Sequence, residues 1–596
     1  MRYRQCEEAF CSIFSSDLSG KYFYNTPSLD IKRINHILRL PLFKPERKII
    51  INIPLKNLRS PLLLFLLFAV IYVAPLGLRP LFVPDETRYA EVPREMISSS
   101  DWIAPKLDGL RYFEKPVLGY WLNALSMMLF GENAFAVRLP SALAAGLAAL
   151  LIYLLVRKYS KDSGPWLATL IFMTFVEVYA LGTFSVLDTL FSLFITAGLT
   201  AYYFAADRDS ATWKKILFLA LFGVFCGLAF LTKGFLAFAV PAAVVAPFML
   251  WEKRWKELFF YHPWIPILFA VLTVLPWGIA IHLKEPGFWN YFFYEEHVKR
   301  FFSADGPKHP ESPVFFIPVI IAGALPWTFA AVASFMGLKK GFYKDSFTRY
   351  LLCWLIIPFL FFSASRGKLA TYILPCFPPL AVLFAIGLQG YFAQGWRKAF
   401  DRALLSFGIL LGLLVPALLV ARIWNFPYGK GENLSLSLAV LGVISWCLMI
   451  YLSIKSNDAD RKLLFFAAGP LLVMFFCHFA MPEFLLKKKA PEALFMRNAA
   501  RVNPDAPMLA YSSLAGAGAW YFKRNDIYIL HKEGEFHYGL QYPDSKHRLL
   551  SFKDIEKFIK LHPGVVLLME HKDKRDEFVP EAKFEDSDSE IYFIEF

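Results

Sequence analysis

Thirteen long apolar stretches, separated by short charged or turn-forming segments, dominate this chain of 596 residues. A helix needs about 20 predominantly apolar residues to cross the hydrocarbon core of a bilayer. Hydrophobic residues make up 57% of the chain and aromatic residues 17%, which is typical of a polytopic α-helical membrane protein. The predicted spans lie at 61–82, 134–156, 164–182, 185–206, 214–232, 235–251, 263–283, 313–337, 350–364, 369–392, 401–424, 434–454 and 462–481.

The connecting segments carry an asymmetric charge that predicts the topology. If the short apolar segment 116–130 lies in the interface, every basic connection falls on the cytoplasmic side; if it crosses, every one falls outside, against the positive-inside tendency. We therefore predict about 13 transmembrane helices, with 116–130 re-entrant or interfacial. The net charge of +14 is then explained by loops beside anionic lipid, without a nucleic-acid partner. The basic connections are 157–161, 208–215, 253–256, 339–340, 397–398 and 461–462.

Three regions follow from this pattern. Residues 1–60 form a basic cytoplasmic N-terminal extension, and residues 61–481 form the transmembrane domain, with its first outer loop at 84–131. Residues 482–596 change to short alternating and periodic pieces, which indicate a small soluble α/β domain. No GxGxxG or P-loop occurs there, so nucleotide chemistry has no support. Its predicted strands are 508–511, 527–530, 564–569 and 590–594, and its predicted helices are 515–524 and 552–561.

The first outer loop begins with the acidic segment PDETRYAEVPREM, which runs from Pro84 to Met96. Its adjacent carboxylates, Asp85 and Glu86, directly follow the first span. Charge beside a bilayer is costly and marks a functional site by default. A solvated interfacial helix is the alternative interpretation.

More polar residues collect on the predicted outer face. Asp188 lies one turn inside an apolar span, where an acid faces a polar cavity more readily than lipid. Arg and Lys side chains bind lipid phosphates, and a carboxylate stabilises the cationic state of a departing sugar. This combination predicts glycosyl transfer from a polyprenyl phosphate. The other outer groups are Glu114, Lys115, the segment 294–301 with His297, Arg366 and Lys368.

A lipid-linked sugar flippase is the rival class. Transporters commonly carry internal repeats and broken helices at the midplane. The sequence contains no internal repeat, and its charges collect at one face. Both features argue against transport.

Several motifs together carry a family resemblance: PDETRYAEVPREM, RYFEKP, GYWLNAL, AFAVRLPSAL, LDT and GKLATYILPCFPPLA. Over residues 61–480 the chain resembles the lipid-phosphate-dependent GT-C glycosyltransferases, and among them the 4-amino-4-deoxy-L-arabinose lipid A transferase family. The resemblance implies a GT-C fold with interfacial helices in the first periplasmic loop.

The same resemblance implies roles for individual residues. Asp85 and Asp188 are the expected catalytic acids, and Arg88 lies near the first of them. No cofactor is clearly required, but Glu114 and His297 match a metal-binding pair of the family, which suggests Zn²⁺. The residues expected to bind the carrier phosphate and substrate are Arg88, Tyr112, Lys115, Arg300 (or its neighbour Lys299), Lys368 and Tyr372.

The resemblance also implies the reaction and its setting. The donor would be an undecaprenyl-phosphate-linked aminoarabinose, the acceptor a lipid A phosphate, and the enzyme a monomeric multi-pass protein of the bacterial inner membrane with a periplasmic active site. With a phosphate acceptor, Asp85 and Asp188 would hold the amino sugar and its anomeric carbon. With a hydroxyl acceptor, Asp85 would be a general base. A hexose or mannose transferase acting on another glycan, lipid or protein stays open.

Overall fold

The apolar stretches of the sequence form helices in the computed structural model, which describes residues 60–160, 164–207, 209–259, 261–299, 311–338, 340–571, 574–575, 577 and 579–596. Among these residues, eight helices are long and apolar enough to cross a bilayer. They confirm a polytopic helical membrane protein. These helices are Ala134–Tyr159, Leu187–Ala205, Thr212–Lys233, Pro263–Lys284, Ser346–Ala364, Ala370–Ala393, Lys398–Trp424 and Asn433–Lys455.

The remaining predicted spans are helical but broken or short. Pro165–Thr174 and Val176–Gly182 meet at a bend of 67°, and Phe316–Gly323 and Trp327–Gly337 meet at 95°. Counting each bent pair once gives up to ten spans among the described residues, so the count of thirteen stays a prediction. The shorter apolar helices are Pro61–Phe68 with its continuation Ala69–Val73, Leu118–Phe130, Leu236–Trp251, Ala459–Ala468 and Leu471–Phe476.

Three of the six predicted basic connections lie close together at one end of the helices. The Arg254 guanidinium donates a hydrogen bond to the Ala206 carbonyl at 2.7 Å, which joins two of them. Arg349 and Glu252 form an ion pair at 2.5 Å beside a third. The side of the membrane on which these connections lie stays a prediction.

The opposite end carries the first outer loop. Helix Asp85–Ser99 follows the first span, a two-residue hairpin pairs β1 (Lys106–Leu107) with β2 (Leu110–Arg111), and helix Leu118–Phe130 closes the loop. Ten of the fifteen residues of helix Asp85–Ser99 are buried, and five of these ten are polar or charged. Such burial requires partners for each charge, and those partners define the site below.

The C-terminal region forms a six-stranded mixed sheet in the order β5-β4-β3-β6-β8-β7. The first four of these strands are parallel, and β8 joins β6 and β7 antiparallel. This confirms the predicted α/β character. The strands are β3 (Met508–Tyr511), β4 (Tyr528–Leu530), β5 (Leu549–Leu550), β6 (Val566–Glu570), β7 (Phe584–Asp588) and β8 (Ile591–Glu595), and the longer helices are Ser512–Phe522 and Ile555–Leu561.

The sheet domain docks on the first outer loop. Asp108, in the β1–β2 turn, is fully buried and accepts a hydrogen bond from Arg548 at 2.6 Å and another from the Ile527 amide at 3.1 Å. The next residue, Gly109, has φ +72°, and a Cβ there would lie 2.4 Å from the Asn525 carbonyl oxygen. Only glycine fits that turn. The docking holds one face of the C-terminal domain against the loop.

Candidate functional site

Asp85 and Arg88 form an ion pair in the first turn of the loop helix. Asp85 is the first residue of helix Asp85–Ser99, and its Oδ1 accepts a hydrogen bond from Arg88 at 2.5 Å, one turn along. The Asp85 side chain is 44% exposed, whereas Glu86 is 0% exposed. The adjacent acids therefore serve different purposes, because only Asp85 is open to a ligand.

Glu86 is instead enclosed by two guanidinium groups. Arg79 donates to it at 2.6 Å and Arg138 at 2.7 and 2.8 Å, while the Ser185 amide donates at 3.1 Å. Burial tends to raise the pKa of Glu86, but Arg138 and Arg79 outweigh it and lower that pKa to about 2. Because Ser185 lies three residues before Asp188, the Glu86 cluster ties the Asp85 helix to the segment that carries the second acid.

Arg88 reaches from the loop to the C-terminal domain. Its second nitrogen forms an ion pair with Glu535, and the Tyr112 hydroxyl donates to the same carboxylate at 3.2 Å. Burial raises the pKa of Glu535, and Arg88 only partly offsets this effect. Burial also raises the pKa of Tyr112, so its hydroxyl stays protonated and acts as a donor. The site thus contains a carboxylate from outside the transmembrane domain.

Asp188 is paired with a cation that also contacts an aromatic ring. Lys233 Nζ lies 2.5 Å from Asp188 Oδ1 and 4.4 Å from the centroid of the Tyr372 ring. Helices Leu187–Ala205 and Thr212–Lys233 pack along their lengths, which brings the first turn of one beside the last turn of the other. The predicted residues Asp188 and Tyr372 therefore share one cation.

Tyr89 packs beside Arg88. Its ring lies 4.9 Å from the Arg88 guanidinium and stacks on Tyr120 with centroids 6.2 Å apart. Burial raises the pKa of Tyr89, and the positive charge of Arg88 opposes this effect. The phenol therefore stays protonated beside the Arg88–Asp85 pair.

Three other residues that the sequence predicted as site residues form hydrogen bonds with neighbouring groups. The Glu114 carboxylate accepts a hydrogen bond from Tyr112 at 3.5 Å, and Lys115 Nζ donates to the Glu114 carbonyl at 2.7 Å. Lys368 is buried and donates to the carbonyls of Ser365 and Glu311, the latter at 2.9 Å. In this arrangement Lys368 holds a turn, and its role in substrate binding stays a prediction.

Two predicted residues cannot be placed. Arg300 and the side chain of His297 lie outside the described residues. Within the described part of the chain, no three His, Cys, Asp or Glu side chains gather closely enough to hold a metal ion. The described residues alone do not form a zinc centre.

Sequence reasoning missed Lys233 and Glu535. Lys233 ends an otherwise apolar run in LTKG, and a lone cation on the predicted outer face was a usable signal. Glu535 lies in an ordinary polar stretch of the C-terminal domain, and only the docking of that domain brings it to Arg88.

Comparisons with known proteins fit this architecture. The family model for dolichyl-phosphate-mannose-protein mannosyltransferase matches residues 57–292, and the model for the arabinosyl transferase ArnT C-terminal domain matches residues 486–595. The crystal structure of ArnT from Cupriavidus metallidurans bound to undecaprenyl phosphate superposes with a TM-score of 0.74 and 20% identity, covering 90% of this chain and 97% of that one. The apo structure of the same protein gives 0.75. This likeness shows the fold.

Fold and site together define a multi-pass membrane protein of the GT-C glycosyltransferase class. An undecaprenyl phosphate-alpha-4-amino-4-deoxy-L-arabinose arabinosyl transferase from Shewanella sediminis is 38% identical over 508 residues, which cover 85% of this chain and 92% of that protein. A protein of the same name from Aeromonas hydrophila is 39% identical over 503 residues, covering 83% and 90%. The chain belongs to this arabinosyl transferase family.

Proposed function

We propose that this protein transfers 4-amino-4-deoxy-L-arabinose from undecaprenyl phosphate to a phosphate group of lipid A. The observation that carries the proposal is the hydrogen bond from the Ser185 amide to Glu86, which ties the helix that begins at Asp85 to the segment that carries Asp188, in a chain of the arabinosyl transferase family. The enzyme acts as a monomer at the periplasmic face of the bacterial inner membrane. The charge asymmetry of the loops supports this orientation.

The reaction moves the sugar from the phosphate of the carrier lipid to a phosphate of the acceptor. The bond between the anomeric carbon and the carrier phosphate oxygen breaks, and an oxygen of the acceptor phosphate forms the new bond. Undecaprenyl phosphate leaves with the bonding electron pair. The acceptor phosphate is already anionic at neutral pH, so no base has to deprotonate it.

Asp85 and Asp188 stabilise the positive charge that develops at the anomeric carbon. Asp85 is suited to this role because its side chain is 44% exposed at the end of a helix, and Arg88 holds it from one side. Lys233 fixes the orientation of Asp188 through the 2.5 Å contact. Neither acid needs to change its protonation state during transfer.

Cations and tyrosines bind the carrier phosphate. Lys115, Arg300 and Tyr372 have this role by family resemblance, and Tyr112 lines the same region. Lys233 adds a positive charge beside Tyr372 at 4.4 Å. Charge-assisted hydrogen bonds from such groups strengthen as the leaving phosphate gains charge, which favours departure.

A second candidate is transfer of a hexose or mannose to a hydroxyl acceptor. The match of residues 57–292 to the protein mannosyltransferase model favours this alternative. In that reaction a base is needed, and Asp85 would accept the proton of the attacking hydroxyl.

Mass spectrometry of lipid A separates the two candidates. Cells that make the aminoarabinose donor are compared with and without this chain. A lipid A mass increase equal to one aminoarabinose residue, absent in cells carrying Asp85→Asn, is the expected result. Unmodified lipid A in the presence of correctly inserted protein would contradict the proposal.

A further inference from the structure

A cavity of about 330 Å³ separates the loop that follows helix Pro263–Lys284 from the C-terminal domain. Its lining combines aromatic rings with amide, carboxylate and imidazole groups. Among the described residues, none of those predicted to act in catalysis or phosphate binding lines it. The principal lining residues are Asn290, Tyr291, Glu295, His537, Tyr538 and Gln541.

One wall of the cavity is aromatic. The rings of Tyr291 and Tyr538 lie with their centroids 4.0 Å apart, and Tyr538 also packs on Phe113 at 5.3 Å. Tyr538 OH shares a 2.7 Å hydrogen bond with Tyr542 OH, which fixes the ring from the other side. A rigid aromatic surface of this kind suits the apolar C–H face of a sugar ring.

The cavity lining also contains polar side chains. The His537 Nδ1 is bound to the Glu533 carboxylate, and its Nε2 lies 2.7 Å from the Gln541 side-chain nitrogen. These contacts orient the imidazole ring and the Gln541 amide. The carbonyl oxygen of Gln541 and the side chain of Asn290 make no hydrogen bond among the described residues. Both groups can form hydrogen bonds with the hydroxyl groups of a bound ligand.

Charge limits what the cavity accepts. Glu295 lies in its lining, Glu533 stands behind His537, and Glu285 is held nearby by Arg111 at 3.1 Å. The described lining contains no lysine or arginine side chain that could bind a phosphate of either substrate. Its volume lies at the lower end of the range for small-ligand sites. A neutral saccharide ring fits both its chemistry and its size.

We propose that this cavity binds a saccharide ring of the acceptor, next to the phosphate that receives the aminoarabinose. This inference rests on the proposed function. The cavity adjoins the reaction site, because Tyr538 packs on Phe113 while the neighbouring Tyr112 donates to Glu535. A donor sugar has to reach Asp85 and Asp188 instead, and neither residue lines the cavity.

The kinetic test uses the full-length protein in detergent micelles. The Asn290→Ala/Gln541→Ala variant is expected to raise the KM for lipid A about tenfold, the loss expected for one or two neutral hydrogen bonds, with kcat and the donor KM changed less than twofold. Gln394→Ala is the matched control, since Gln394 is an exposed glutamine whose side chain donates a hydrogen bond to the Gly390 carbonyl of its own helix. An unchanged acceptor KM, or a rise in the donor KM instead, would overturn the proposal.

A binding test separates this inference from the proposed function. Saturation-transfer NMR with the neutral sugar N-acetylglucosamine is expected to show binding to the wild-type protein and to Gln394→Ala, and weaker binding to Asn290→Ala/Gln541→Ala. Equal signals from all three proteins would refute the saccharide site even if lipid A is modified. If the double variant does not purify as a single species, Gln541→Ala alone replaces it in both tests.

Discussion

Arg88 of the first outer loop and Glu535 of the C-terminal domain form an ion pair across 447 residues of sequence. Both side chains are 15% exposed, so the pair is largely shielded from water. Arg88 also holds Asp85, which makes the C-terminal domain a support for the predicted catalytic acid.

Replacing Glu535 tests this support. Glu535→Ala removes one of the two carboxylates that pair with the mostly buried Arg88 and frees it to pair more fully with Asp85, so we expect a loss of about tenfold or more in kcat. Glu535→Asp should recover part of the rate. Transfer assays on purified variants measure both effects. Glu533→Ala is not a suitable comparison because it touches His537, so the exposed Glu556→Ala serves as the control. Wild-type kcat in Glu535→Ala would refute the role.

The two acids are expected to be essential for transfer. Asp85→Asn and Asp188→Asn keep volume and hydrogen bonding but remove the charge that stabilises the anomeric carbon, so each should lower kcat by about 100-fold or more. Asp505→Asn, in the C-terminal domain, is the control. The assay follows aminoarabinose transfer to lipid A, with gel filtration to check the fold. Near-normal rates in either variant would remove that acid from the mechanism.

The lowered pKa of Glu86 determines how its contribution to the stability of the folded protein depends on pH. Its pKa is about 2 in the folded protein, below the usual value of about 4.3 for an unfolded glutamate. The ionised form therefore stabilises the fold above about pH 4.3, and this stabilisation is lost as the pH falls towards 2. The unfolding-temperature difference between wild type and Glu86→Gln should be constant from pH 7 to 5 and shrink below about pH 4.

The size of the stability difference depends on the guanidinium charge that stays buried after the Glu86 charge is removed. Glu86→Gln leaves Arg138, which is 0% exposed, without its counter-charge, a change that costs about 3–5 kcal/mol. Glu132→Gln removes a carboxylate from a more exposed pair with Lys523 and should cost less than about 1 kcal/mol. Equal unfolding temperatures for the two variants would contradict the buried cluster.

Lys115 is expected to contribute to carrier binding. Lys115→Ala removes one charge-assisted contact to the lipid phosphate and should raise the Kd for undecaprenyl phosphate about tenfold. Arg300→Ala should behave in the same way. Lys560→Ala is the control, since Lys560 is 73% exposed and pairs with Glu556 on a surface helix. Fluorescence titration in micelles measures the Kd. Unchanged affinity in Lys115→Ala would rule out its contact with phosphate.

The zinc ion implied by family resemblance at Glu114 and His297 stays a prediction. If it is present, purified protein should contain close to one zinc per chain, and Glu114→Ala and His297→Ala should each lower that content. Elemental analysis by mass spectrometry gives the number directly. Equal metal content in wild type and both variants would rule out this site.

The sequence predicted the acids better than their partners. Asp85 and Asp188 stand out because a carboxylate next to an apolar run is locally anomalous, whatever the fold. Glu535 shows no such anomaly, and its contact with Arg88 depends on how two distant parts of the chain dock. Side-chain partners of this kind are set by tertiary structure, which a single sequence pattern does not contain.

Strand β7 (Phe584–Asp588) shows a second limit of pattern reasoning. Its residues FEDSD contain only one apolar side chain, so neither hydrophobic alternation nor strand propensity marks it. It lies at the sheet edge, and its acids Asp586 and Asp588 pair with Arg497 at 2.7 and 2.8 Å. Inner strands such as β6 are recognisable in the sequence because they are buried and apolar. Strand β7 lies at the edge of the sheet and is held by ion pairs, so it lacks that pattern.

Because Asp108 and Arg548 form a buried pair, the β1–β2 hairpin and the C-terminal domain have to match each other in sequence. A chimera that takes this domain from a distant relative but keeps the native hairpin would confront Asp108 and Gly109 with a foreign surface. An exchange of the C-terminal domain between such enzymes therefore has to include both segments, although more than 400 residues separate them.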